Sequence, residues 1–181
     1  HPVIRKITFT GSTAVGKHLA AMAGQHMKRA TMELGGHSPA IVFDDVDVEK
    51  AAKLLAAAKY RNAGQVCVSP TRFLVQEKVY KTFVERFTAL AAATKVGDGL
   101  QDGIEMGPLA NPRRVTAMEE MIADATKHGA KVETGGKRIG NKGNFFEPTV
   151  LTNVSKQARI MNEEPFGPVA LIAPFKGIDD A

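Results

Sequence analysis

The spacing of apolar positions divides the chain into short runs that alternate between strand and helix character. Ile4, Ile7 and Phe9 punctuate an opening strand that runs into Gly11-Ser12. Val15, Leu19 and Met22 then recur at helical spacing, with Ser12 or Thr13 as the cap. Arg29 to Leu34 reads as a short strand, after which Gly35-Gly36 lets the backbone turn tightly. The continuous apolar run Ala40-Ile41-Val42-Phe43 predicts a strand buried on both faces of a parallel sheet. Asp47 caps an alanine-rich helix over Val48 to Tyr60, and Asn62-Ala63-Gly64 ends it.

Beyond a connection lies a strand from Arg72 to Val75, then a helix from Val79 to Ala93 with Val79, Phe83, Phe87 and Leu90 on one face. Gly97 to Asn111 is rich in turn residues. Pro112 suits the first position of a helix whose buried stripe is Val115, Met118, Met121, Ile122 and Ala125, and Gly129 closes it. Strands are expected at Lys131 to Thr134, Phe146 to Leu151 and Val169 to Ala173, with a short helix from Lys156 to Met161. Alternation of this kind predicts an α/β fold, largely a parallel sheet flanked by helices.

Composition narrows the class. With 44% hydrophobic and 24% charged residues the 181-residue chain reads as soluble and globular, and it is long enough for a sizeable core. No apolar stretch approaches the roughly 18 residues of a membrane helix, and the opening His-Pro-Val-Ile-Arg-Lys is unlike a signal peptide. The net charge of +5 raises the question of a polyanion partner, but basic residues are scattered among acids and form no stripe, so no nucleic-acid partner is expected. The five histidines are dispersed without metal-ligand spacing, so no metal is expected either. A single cysteine cannot form an internal disulfide and fits a reducing, cytoplasmic compartment.

That cysteine, Cys67, lies on the connection between the second helix and the Arg72 strand. On composition alone it would be a small buried hydrophobe. Its place on a loop held between rigid elements is instead where chemistry tends to be put, and a thiol becomes a strong nucleophile once ionised. Similarly, the strand–Gly11–Ser12–helix junction suits a phosphate, because free backbone N–H groups and the helix dipole favour an anion there. Such a turn also wants Gly and Ser for structural reasons alone, and Gly11 to Gly16 is not the G-x-G-x-x-G fingerprint.

Four motifs taken together decide between these readings. Asn62-Ala63-Gly64-Gln65-Val66-Cys67, with Arg72 five residues on, resembles the nucleophile loop of the aldehyde dehydrogenases. Phe9-Thr10-Gly11-Ser12-Thr13-Ala14-Val15-Gly16 resembles that family's cofactor loop, Glu33-Leu34-Gly35-Gly36-His37-Ser38-Pro39 its general-base motif, and Glu163-Glu164-Pro165-Phe166-Gly167-Pro168-Val169 its ribose-binding motif. Within the family, Val96 to Leu100 and Gly143 to Thr149 look most like the succinate-semialdehyde dehydrogenase group. Several members of that group carry a second cysteine two residues after the nucleophile. Here that position is Ser69, which excludes a disulfide switch.

The resemblance implies Cys67 as nucleophile and Glu33 as base for thioester hydrolysis, with NAD or NADP as cofactor held by Gly11, Ser12, Leu34, Glu164 and Phe166. Gln65 and Arg72 are expected to shape the loop. The resemblance also implies a small aldehyde substrate and a homo-oligomeric full-length enzyme, with residues 1–32 as the end of the cofactor domain and 33–181 as most of the catalytic domain. Starting at His1 without methionine and stopping at Ala181, the chain is expected to be an internal piece that is inactive alone. Two other readings stay open: a coenzyme A-acylating relative, which would lack the glutamate base, and a non-catalytic, self-associating fragment.

Overall fold

A computed structural model describes residues 1–181, which divide into two compact units, His1–Gly36 and His37–Ala181. In the first, strands β1 (Lys6–Gly11) and β2 (Arg29–Leu34) pair in parallel and are joined by helix α1 (Thr13–Gln25). Their register sets Thr10 opposite Glu33 and Gly11 opposite Leu34. Gly16 of α1 lies under Leu34, where a Cβ would stand 2.4 Å from Leu34 Cδ2. This close approach seats the helix on the two strands.

The second unit is built on a five-stranded sheet in the order β3-β4-β7-β6-β5. Its strands are β3 (Ala40–Val42), β4 (Arg72–Gln76), β5 (Lys131–Thr134), β6 (Thr149–Thr152) and β7 (Val169–Phe175). All neighbours are parallel except β5 and β6, so the expected parallel architecture carries one antiparallel edge. The helices are α2 (Val48–Tyr60), α3 (Glu77–Ala93), α4 (Pro112–Lys127) and the short α5 (Arg159–Asn162). Asp47 accepts from the backbone of Lys50, and Asn111 accepts from that of Arg114, so a side chain caps α2 and α4.

Around β7, whose first four residues are buried, Phe73, Val75, Phe83, Phe87, Val150 and Leu151 form the centre of the core. Phe87 meets Phe73 edge-on at a ring-centroid distance of 5.0 Å and reaches Phe83 and Tyr60 with tilted rings at 5.6 and 6.0 Å. The α4 stripe is buried as its periodicity predicts. Two expectations are corrected. The run from Ala40 gives an edge strand, Ala40–Val42, with Val42 buried but Ile41 45% exposed, not one covered on both faces, because nothing in this unit packs over the face that carries Ile41. The strand expected from Phe146 begins only at Thr149; Phe146 is buried but makes an isolated bridge to Arg138, since Pro148 has no N–H for a ladder. No helix is long and apolar enough to cross a membrane.

Candidate active site

The loop that presents Cys67 begins with a left-handed reversal. After α2 ends at Tyr60, Asn62, Ala63 and Gly64 all take positive φ, at 51°, 52° and 69°. Asparagine and glycine visit this region readily, whereas alanine is strained there by about 1 kcal/mol or more. Side chains hold the reversal in place. Asn62 Nδ2 donates to the Gln65 carbonyl at 3.0 Å, Gln65 Nε2 donates back to the Asn62 carbonyl at 3.1 Å, and Gln65 Oε1 accepts from Ala110 N at 2.8 Å. Gln65 thus shapes the loop, as expected.

Cys67 itself is exposed at the crest. Its carbonyl accepts from Ser38 Oγ at 3.0 Å, and Thr71 N donates to the carbonyls of His37 and Ser38 at 3.2 and 3.3 Å. Ser69 is buried and donates through Oγ to the Lys59 carbonyl, which ties the descending limb to the last turn of α2. The Arg72 guanidinium donates to the carbonyl of Met161, the loop-shaping role read from the sequence.

Glu164 and Phe166 lie on a turn between α5 and β7, and Phe166 is left-handed at φ 39°. Two glycine contacts fix that turn. A Cβ on Gly167 would stand 2.3 Å from Met118 Sδ of α4, and one on Gly64 would stand 2.1 Å from the Gly167 carbonyl oxygen. Gly64 is three residues before Cys67 and Gly167 three after Glu164, so the cysteine loop and the Glu164 turn touch backbone to backbone.

The first unit gathers the other residues singled out by the sequence. Glu33, exposed near the end of β2, and Leu34 stand opposite Thr10 and Gly11, and Ser12 is the N-cap of α1. The Ser12 side chain makes no capping hydrogen bond, and no acid stands in the first turn. A hydroxyl and the first amides of a 13-residue helix are therefore left for an anion, which fits a dinucleotide pyrophosphate.

Three ionisable residues near these motifs escaped the sequence reading. Burial lowers the pKa of His37, with Arg72 and then Lys59 adding to the effect, and neither ring nitrogen has a partner. Lys59, 1% exposed, is lowered to about 7 by burial, against which the charge of Glu164 acts. Arg114 is lowered by burial and raised by Glu164, and its guanidinium donates to the Pro165 carbonyl. Lys59 did leave a signal in the sequence: it continues the buried stripe Ala52, Ala56 at helical spacing, where an apolar residue would be expected. A cleft of about 430 Å³ between α2 and α3, lined by Lys53, Tyr60, Arg61, Leu90 and Glu105 among others, does not include Cys67 or Glu164. No cluster of side chains suits a metal ion.

An exposed thiol on a braced loop, with the Glu164 turn docked against that loop through Gly64 and Gly167, stands on an α/β sheet with parallel crossovers. The sequence model of the aldehyde dehydrogenase family matches residues 1–181, and the chain belongs to that family. It is 48% identical over 181 residues to a probable succinate-semialdehyde dehydrogenase [NADP(+)] of Sinorhizobium fredii, covering 100% of this chain and 36% of that protein. It is also 46% identical over 176 residues to the glutarate-semialdehyde dehydrogenase of Pseudomonas aeruginosa, covering 97% of this chain and 36% of that protein. Among solved structures, an Escherichia coli NADP-dependent enzyme superposes with a TM-score of 0.95 at 44% identity, over 99% of this chain and 37% of its own. The chain therefore spans little more than a third of the length of these relatives.

Proposed function

We propose that this chain carries the nucleophile of an NAD(P)-dependent aldehyde dehydrogenase, with Cys67 as nucleophile and Glu33 as hydrolytic base. The observation that supports it best is the exposed Cys67 thiol on a loop braced by Ser38, Gln65 and Gly64. In this reading the Cys67 thiolate adds to the aldehyde carbon, forming a thiohemiacetal whose oxyanion accepts from the Cys67 backbone N–H. NAD(P), when bound, supplies the hydride acceptor. Loss of hydride leaves a thioester on Cys67. Glu33 takes a proton from water, the hydroxide adds to the thioester carbonyl, and its collapse expels the Cys67 thiolate and frees the acid. Ser12 and Gly11 receive the pyrophosphate, Leu34 contributes to the cofactor site, Glu164 receives the nicotinamide ribose, and Phe166 lies beside the nicotinamide ring.

The relatives named for succinate and glutarate semialdehyde support a short aldehyde with a carboxylate tail as substrate, succinic semialdehyde foremost. In the full-length protein, Glu33→Gln should give one rapid turnover of reduced cofactor, then stall with the succinyl group on Cys67 visible by mass spectrometry. Steady turnover at the native rate would exclude Glu33 as the base. A rate that requires added coenzyme A would instead mark acyl transfer to a thiol.

A further inference from the structure

Lys59 is the one lysine whose side chain is fully buried, and nothing in the proposed chemistry uses it. An ammonium withdrawn from water is costly unless a counter-charge stands nearby, and the carboxylate acting on it is that of Glu164. The same carboxylate acts on Arg114, which comes from a different helix. Lys59 stands in the last turn of α2; Arg114 stands in the first turn of α4, its backbone fixed by the Asn111 cap. The Arg114 guanidinium also donates to the carbonyl of Pro165, the residue after Glu164. The turn carrying Glu164 is thus held at Gly167 by backbone contact and at Pro165 by a guanidinium, with two cations acting on its carboxylate.

We propose that Lys59 and Arg114 are positioning residues for Glu164, holding its turn and aiming its carboxylate so that it receives a ribose hydroxyl pair of the dinucleotide. This rests on the assignment of Glu164 to the nicotinamide ribose. Neither cation need touch the cofactor. Because Lys59 titrates near neutrality, the charge it offers Glu164 falls as pH rises through about 7. The charged or titratable groups coupled to it are Glu164 and His37, and His37 is in turn coupled to Arg72.

The test is equilibrium titration of the full-length protein with NADH and NADPH by fluorescence, independent of turnover. Lys59→Met and Arg114→Met should each weaken binding about tenfold, equivalent to roughly 1.4 kcal/mol. Lys59→Arg should keep native affinity and flatten its decline between pH 6 and pH 8, an effect that loss of packing alone would not produce. Combining Lys59→Met with Glu164→Gln should cost little more than Glu164→Gln alone, because both act through one carboxylate. Weak binding in Glu164→Gln with native affinity in Lys59→Met and Arg114→Met overturns the positioning role. Native affinity in Glu164→Gln overturns the ribose assignment itself. Circular dichroism reports whether each variant is folded; should Lys59→Met not fold, Arg114→Met and the Lys59→Arg pH profile decide between the same two outcomes.

Discussion

The carbonyl oxygen of Gly167 lies so close to Gly64 that a Cβ on Gly64 would stand 2.1 Å from it. Backbone faces backbone there, so neither side can yield by rotating a side chain, and Gly64 is also held at φ 69°. Gly64→Ala is expected to cost at least about 2 kcal/mol, from left-handed strain and from separating two chain segments. Denaturant midpoints measure the loss, and faster alkylation of Cys67 by iodoacetamide would report the loosened loop. An unchanged midpoint would show that the contact gives way freely.

Ser38 makes a subtler contribution. Its hydroxyl donates to the Cys67 carbonyl at 3.0 Å from a residue that is itself left-handed at φ 41°. Ser38→Ala should cost about 1 kcal/mol of stability and lower kcat more than it raises the aldehyde KM, because the thiol would be present but less firmly aimed. Parallel steady-state and thermal-unfolding measurements separate the two effects.

Lys59 gives stability a pH dependence of defined sign. Its pKa is about 7 when folded and about 10.4 in an unfolded chain. Between those values the unfolded state holds more protons, so stability rises with pH, by at most about 1.4 kcal/mol per unit. Below pH 7 both states are protonated and the burial cost is felt in full. Urea midpoints of native protein and Lys59→Met across pH 7 to 10 should differ in slope, with the variant flatter.

Phe87 is fully buried and meets the rings of Phe73, Phe83 and Tyr60, the last at the end of α2 just before the cysteine loop. Phe87→Ala should cost about 3–5 kcal/mol, and Phe87→Leu much less. Calorimetric unfolding of both checks whether the cost follows the volume lost.

Much of this was legible in the sequence where local rules and tertiary demand agree. The α4 stripe from Val115 to Ala125 repeats at helical spacing and is buried as read, and Asp47 and Pro112 mark helix starts by their own chemistry. The motifs around Cys67 and Glu164 were found by resemblance, and the loop-shaping parts of Gln65 and Arg72 with them. What stayed hidden depends on partners far along the chain. Ala40 to Val42 is apolar like an inner strand, yet its place at the sheet edge follows from strand order, which no window of residues encodes. Nothing in the sequence around Arg114 marks its partner, because the fold alone brings Pro165, 51 residues later, within reach of its guanidinium.

The strand order also bears on how the protein comes into being. β7 is made last among the strands of its sheet and inserted in the middle, between β4 and β6. Until a ribosome has released residues 169 to 175, β4 has no neighbour on that side, and Gly64 has no Gly167 to rest against. The Cys67 loop is therefore translated long before the Gly167 contact that clasps it, and a nascent chain paused after β6 carries Cys67 on a segment not yet clasped, beside an open sheet edge. Pairing that closes so many residues in one step is slow. For this fold, the interval between making Cys67 and clasping its loop is when oxidation or misassembly would find it.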